Sequence, residues 1–247
     1  ILFEGQIYPP TSFLINQKNI TSNLIGEFKT IQPLDYGKNN FFVETDFTSK
    51  NISVFYLTSY DDLENHWFAE TAAKLKYLNL IPIEPNFFPN ENVTKYDFIN
   101  YIYDFWGLIP IKNITLEESK IPYDDIFQDK DKFYFLISNN VNLVDETNFI
   151  NPNKNISRVE AINIIAEVTK AFDLNLKKPL KKDFPFLDIP KSNPNRENIE
   201  FCYQHGLISK SYKFNPDKLI SKAELIKILS NTVKTKELMK EIFNEQN

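Results

Sequence analysis

A segment of this chain returns at intervals of 63–64 residues, and that period restricts the possible folds more than any other feature. Asp62, Asp125 and Asp188 head three copies, in the settings Tyr60-Asp61-Asp62-Leu63, Tyr123-Asp124-Asp125-Ile126 and Phe186-Leu187-Asp188-Ile189. Further along come Phe87-Phe88-Pro89, Ile150-Asn151-Pro152 and Phe214-Asn215-Pro216. Five residues after each proline stands a hydroxyl-basic pair: Thr94-Lys95, Ser157-Arg158, Ser221-Lys222. A fixed period of this size marks repeated supersecondary units that bury their apolar faces on one another.

Each copy reads as two helices. In the first copy, Phe68, Ala72, Leu75 and Leu78 recur at helical spacing across Trp67–Leu80. A turn follows over Pro82–Asn92. A second helix starts at Thr94, with the stripe Phe98, Ile99, Ile102 and Phe105. The matching stripes are Ile162, Ile165, Val168 and Phe172, then Leu225, Ile226, Leu229 and Val233. Thr94 precedes Asp97 by three residues, Ser157 precedes Glu160 and Ser221 precedes Glu224, the spacing of a capping box. Lys95, Arg158 and Lys222 therefore fall on the first helical position. A cation there opposes the helix macrodipole, at a cost of a few tenths of a kcal/mol. Its presence in all three copies points to a ligand; the alternative is a solvated surface residue. Leu238, Met239, Ile242 and Phe243 predict a short helix packing on the bundle near the end of the chain.

The first 59 residues have a different rhythm. Gln6–Tyr8, Ser12–Ile15, Gly26–Lys29, Asn40–Glu44 and Ile52–Leu57 are short β-rich runs about ten residues apart, which predicts an all-β sandwich. Gly5, Gly26 and Gly37 are expected in turns. The segments Gly5-Gln6-Ile7-Tyr8-Pro9, Leu14-Ile15-Asn16, Gly26-Glu27-Phe28 and Leu34-Asp35-Tyr36-Gly37-Lys38-Asn39 together resemble bacterial immunoglobulin-like modules. One departure is Gln17, where those modules place glycine after the asparagine. The resemblance implies a spacer module, one of a kind that occurs in tandem within long extracellular chains. A start at Ile1 without a basic-apolar leader fits a mature chain or a cut from a longer one.

Bulk properties remove several classes of function. A hydrophobic share of 42% and an aromatic share of 15% are enough for packed cores. A net charge of -5 and a pI near 5.3 exclude a general nucleic-acid binder, which needs an excess of cations to displace counterions. One cysteine, Cys202, excludes an intrachain disulfide framework. No apolar run reaches the 18 or so residues of a membrane span. His205 lies three residues after Cys202, but there is no further Cys, and the other His, His66, lies in a different copy; no zinc site or other cofactor is expected. No nucleophile elbow, phosphate loop or zinc-protease helix is present. The adjacent pairs Asp61/Asp62 and Asp124/Asp125 suit turns better than acid-base work. The expectation is a protein without catalytic activity of its own.

The repeat pattern resembles the S-layer homology family. The residues that carry the likeness are Tyr60-Asp61-Asp62-Leu63, His66-Trp67-Phe68-Ala69, Leu80-Ile81, Phe87-Phe88-Pro89 and Val93-Thr94-Lys95-Tyr96-Asp97 in the first copy. The second contributes Ile156-Ser157-Arg158-Val159-Glu160-Ala161. The third contributes Phe186-Leu187-Asp188-Ile189, His205-Gly206-Leu207-Ile208 and Ile220-Ser221-Lys222-Ala223-Glu224-Leu225. Trp67 has no counterpart in the other copies, and the second lacks the glycine before Val141-Asn142-Leu143. The resemblance implies a multidomain chain: a sandwich over 1–59, repeats over 60–116, 117–180 and 181–236 in a mainly α pseudo-threefold bundle, and a helix or tail over 237–247. It implies non-covalent anchoring at the cell surface. The partner would be an anionic cell-wall polysaccharide or peptidoglycan-linked glycan held in grooves between repeats. Lys95, Arg158 and Lys222 would pair with ligand carboxylates. Trp67 would stack on a sugar or fill the core. Asp62, Asp125 and Asp188, with Thr94, Ser157 and Ser221, would be structural. Lys177–Lys182 reads as a solvated linker or as a secondary contact with wall polymer. The alternatives are an assembly module that contacts other surface-layer subunits through decayed grooves, and the anchoring end of a surface hydrolase.

Overall fold

Alternation of apolar and polar residues builds the first part of the chain. The strands are β1 (Leu2–Gln6), β2 (Ser12–Ile15), β3 (Lys18–Thr21), β4 (Glu27–Ile31), β5 (Gly37–Glu44) and β6 (Ser49–Tyr56). β1 pairs with β4, and β3-β2-β5-β6 form a second antiparallel sheet. Phe13, Ile15, Ile20 and Phe41 are its buried core. Edge-on ring pairs join the two sheets: Phe3–Phe41 with centroids 4.9 Å apart and Phe13–Phe28 at 4.7 Å. β3 was not expected, because Lys-Asn-Ile-Thr has one apolar residue and shows no alternation. The turn before it makes the strand: Asn16 and Gln17 both take left-handed φ, 49° and 66°, the geometry of a two-residue hairpin. Gln17 thus does what a glycine would do more cheaply. Gly5, expected in a turn, lies within β1; a Cβ there would meet the Phe28 ring at 3.2 Å.

The structure is a computed structural model that describes residues 1–108, 129–143, 150–172 and 183–243. Asp125 and the Lys177–Lys182 run lie outside the described residues. The chain divides into two compact units, Ile1–Thr58 and Ser59–Asn247. Helices of the second unit are α1 (Ala69–Tyr77), α2 (Lys95–Trp106), α3 (Lys130–Ser138), α4 (Arg158–Phe172), α5 (Arg196–Gln204), α6 (Lys222–Leu229) and α7 (Val233–Phe243). α1 is shorter than the predicted Trp67–Leu80. It stops because Asn79 adopts φ 55°, a left-handed residue that ends a helix. Asn140 (63°) and Gly206 (73°) occupy the same place after α3 and α5, so Asn140 supplies the conformation of the glycine missing from the second copy. Val233 does not prolong α6. Thr232 accepts from the Thr235 amide and a new helix, α7, begins.

Apolar stripes of α2, α4 and α6 meet in one cluster, with Phe98, Ile99, Ile102, Ile162, Ile165, Leu225, Ile226 and Leu229 all at most 1% exposed. Before each of these helices the chain enters a closed ring. Ile156 donates its amide to the Val93 carbonyl at 2.9 Å, Ile220 donates to Ile156 at 3.2 Å, and Val93 donates to Ile220 at 3.3 Å. Their side chains are 1%, 0% and 3% exposed respectively. Next, the first two amides of each helix donate to the following copy's turn. Lys95 and Tyr96 donate to Lys154 and Pro152, Arg158 and Val159 to Lys218 and Pro216, Lys222 and Ala223 to Glu91 and Pro89. Each such bond contributes on the order of 1 kcal/mol.

Those turns are shaped by the aspartates. Asp62 accepts from the amides of Phe87 (2.7 Å) and Phe88 (2.6 Å), and Asp188 from Phe214 (2.8 Å) and Asn215 (2.7 Å). The middle residue of each turn is left-handed: Phe88 at 58°, Asn151 at 52°, Asn215 at 56°. Asn tolerates this conformation, whereas a bulky Phe is strained by about 1 kcal/mol. Phe88→Asn is expected to stabilise the second unit by about 1 kcal/mol and raise its thermal midpoint by roughly 2–4 °C; calorimetry checks it.

Candidate functional site

The three cations at the helix starts share one backbone setting and two side-chain fates. Their neighbours are the Phe-x-Pro-type turns that accept the helix amides. Lys222 places its ammonium 4.9 Å from the centroid of Phe87, and Arg158 its guanidinium 5.1 Å from that of Phe214. The second copy carries Ile150 in the same position and offers no ring face. Lys95 instead turns inward, is 4% exposed, and donates to the Leu143 carbonyl at 3.1 Å. Lys95 was expected to face a ligand; docking of the α2 start on residues 150–154 covers it.

Among the described residues, no carboxylate forms an ion pair with Arg158 or Lys222. The Arg158 Nε is buried and has no hydrogen-bond partner. Burial pushes the Arg158 pKa down, and the Glu224 charge offsets part of that. Burial pulls Glu224 the other way, but the Lys218 ammonium, the Ser221 amide and Arg158 together hold its carboxyl below the usual range. Thr94, Ser157 and Ser221 all accept from the residue three along. Glu160 and Glu224 complete the reciprocal bond to the cap amide, while the shorter Asp97 accepts from the Thr94 hydroxyl instead.

Trp67 is 61% exposed, and the core position beside it is filled by Phe68 at 0%. Its ring lies against a cleft of about 440 Å³ where the start of α1 approaches the start of α6. His66, Asn90, Asn92, Lys218 and Glu224 also line that cleft. Lys218 and Glu224 pair there at 2.8 Å. An open indole face beside amides and an ion pair is suited to a sugar: the ring faces supply apolar contact and the polar groups bind hydroxyls. Sequence reasoning found Trp67 but not Asn90, Asn92 or Lys218. These lie in the turn that ends at the helix cap, so the repeat spacing contained a signal for them.

The first-to-second seam differs. There Tyr96 donates to Asp129 at 2.6 Å, and Lys132 to Asn100. Between second and third copies, Asn163 and Lys170 contact Asn195 and Asn198. Cys202 is buried against the Ile162 carbonyl and its thiol pKa is pushed up by burial. Among the described residues no three metal-ligating side chains converge, and no helix is long and apolar enough to cross a membrane.

Residues 185–226 match the S-layer homology domain family. The matched stretch runs from the Asp188 turn to the start of α6, and includes Lys218, Ser221, Lys222 and Glu224. Such domains are generally involved in anchoring surface proteins to the cell wall by binding its polymers, so the match points to a cell-surface or cell-wall-associated protein. No curated protein matches the chain.

The Asp188 brace yields a pH prediction. Burial raises the Asp188 pKa, but the Phe214 and Asn215 amides outweigh it and the net shift is downward. A carboxyl depressed in the folded state stabilises above its unfolded value of about 4, and that stability is lost as pH falls through the lower folded value. Asp188→Asn is expected to cost about 1–2 kcal/mol at pH 7 and to flatten the loss of stability below pH ~4; denaturant titrations at pH 7 and pH 3 check both.

Proposed function

We propose that the second unit is a non-enzymatic cell-wall anchor made of three S-layer homology repeats arranged around a pseudo-threefold axis. The first unit is then an immunoglobulin-like spacer, and the whole is part of a secreted surface protein. The cyclic hydrogen bonds and the spacing of the three copies support three repeats, although the family match itself covers the third. The ligand is an anionic wall polysaccharide or peptidoglycan-linked glycan.

One observation carries the ligand assignment: an indole more than half exposed at the rim of a polar cleft between the first and third copies. A sugar ring stacks on Trp67, and Asn90, Asn92 and the Lys218–Glu224 pair bind its hydroxyls. Arg158 and Lys222, without carboxylate partners among the described residues, remain available to anionic groups; charge-assisted bonds of this kind are the strong ones. Lys95 is left out of the ligand set because of its burial.

Purified sacculi, native and stripped of their secondary glycan, test this reading. The protein is expected to sediment with native sacculi only, and Trp67→Ala to weaken binding about tenfold or more without loss of fold, since stacking on an aromatic contributes about 1–3 kcal/mol. Lys95 belongs outside the variant set, because removing it perturbs the fold. A folded protein that ignores both kinds of sacculi overturns the anchor.

The second reading is an envelope-assembly module. It draws on the first-to-second seam, where Lys95, Tyr96, Asp129 and Lys132 are engaged with protein groups. It predicts concentration-dependent self-association in sedimentation velocity and no retention on sacculi.

A further inference from the structure

The cleft beside Trp67 contains charged side chains whose charges cancel. Its lining carries one cation, Lys218, and one anion, Glu224, and the ammonium pairs with Oε1 of the carboxylate at 2.8 Å. The other oxygen, Oε2, accepts from the Ser221 amide at 3.1 Å. Against the pull of burial, the Lys218 bond and that amide keep the Glu224 carboxyl below its ordinary range, so it is ionised at neutral pH. His66 accepts from the Phe68 amide through Nδ1 at 3.2 Å. An accepting Nδ1 belongs to the neutral imidazole and leaves Nε2–H as its one donor. Lys222, the next cation along, is not part of the lining; its ammonium lies 4.9 Å from the Phe87 centroid.

The fold does not require this pair. The cap bond from the Ser221 amide goes to Oε2 and is made without Lys218. At the matching positions the second copy has Lys154 and Glu160, which form no ion pair among the described residues; Glu160 is engaged by the Ser157 amide and hydroxyl instead. The first copy has two carboxylates there, Glu91 and Asp97. Only the third copy therefore neutralises its lysine, and it does so where the first copy places an exposed indole. A ligand carboxylate entering the cleft would have to displace Glu224 from Lys218 or lie beside it, and like charges at that range repel. A hydroxyl meets no such opposition. Asn90 and Asn92 each offer a donor and an acceptor, each Glu224 oxygen keeps a second lone pair, and His66 and Lys218 donate. An unfavourable charge that turns away the wrong ligand is a general source of specificity.

We infer that the Trp67 cleft accepts an uncharged sugar residue and rejects an acidic one, with Glu224 as the residue that sets the choice. This selectivity rests on the glycan reading above and narrows it: the anionic groups of the polymer are met elsewhere, and the cleft takes a neutral residue of the same chain. Glu224→Gln isolates the charge. Gln at this position also completes a capping box, so the helix start is kept while Lys218 loses its partner.

The probes are the methyl glycosides of glucose and galactose, each matched with the uronide in which the primary alcohol is oxidised to a carboxylate. Binding to the whole chain at neutral pH is followed through the indole N–H signals of its two tryptophans, Trp67 and Trp106, which the Trp67→Phe protein assigns. The neutral member of at least one pair is expected to shift the Trp67 signal saturably and to bind about tenfold or more tightly than its uronide. The methyl ester of that uronide, neutral again, is expected to bind like the neutral glycoside. In Glu224→Gln the preference is expected to fall about tenfold through gain of uronide binding. Glu237→Gln, which removes an exposed carboxylate of α7, keeps the wild-type preference and shows that bulk charge is not the cause. Uronides bound as tightly as neutral glycosides, a preference unchanged in Glu224→Gln, or no saturable shift with any of the glycosides would overturn the assignment. Sedimentation with native sacculi decides the glycan reading separately: a chain that sediments but favours uronides keeps the anchor and loses this selectivity.

Discussion

The second unit depends on how it satisfies the amides at the starts of α2, α4 and α6. A helix leaves its first four N–H groups without intrahelical partners. Here the first two donate to carbonyls of the next copy's turn, and the third finds the cap hydroxyl. Each copy lends carbonyls to one neighbour and takes them from the other. A single copy would expose both the unmet donors and its apolar stripe, so the unit is stable only when the ring closes. The helix starts are consequently not anion sites by themselves. Their positive ends face protein carbonyls, which also lessens the cost of a cation at the first helical position.

Local backbone chemistry follows the same logic with an unusual residue choice. Glycine is scarce, and six of the nine non-glycine residues with positive φ among the described residues are asparagines. Asparagine is the residue that tolerates the left-handed region best after glycine, so the fold keeps its turns and helix ends with little loss. The other three are Asp129, which tolerates the region nearly as well, and Phe88 and Gln17, where strain remains.

Three copies with one backbone plan have diverged in side chains, and that divergence localises chemistry. The ring of Phe87 or Phe214 lies under the Lys222 or Arg158 cation, whereas Ile150 leaves Lys95 to a buried carbonyl. The seam between the first and third copies holds the exposed indole and, next to it, a cleft lined by Lys74, Lys227, Lys236 and Lys240. The two linings lie less than one helical turn apart, Trp67 to Glu70 on one side and Glu224 to Lys227 on the other.

Much of this was legible in the sequence because its causes are local. The period located the turns, the caps and the core stripes of α2 and α4; Asp62 and Asp188 were readable as turn residues from their place before the Phe-x-Pro segment. β3 was hidden because its strand character comes from a hairpin turn and not from its own pattern. The short terminal helix was legible, but its start was placed after Val233, because Val233 continues the spacing of the α6 stripe; α7 begins at Val233. The fates of Lys95, Arg158, Lys222 and Trp67 could not be read from their own positions, since a first-position cation is placed by its own helix but surrounded by another copy. Sequence alone determined the 63–64-residue period and where α2, α4 and α6 begin, since capping and periodicity act within a few residues. Only the tertiary structure decided which cations are covered and which groups share a cleft, because burial depends on a neighbour far along the chain, 48 residues away where Lys95 meets Leu143.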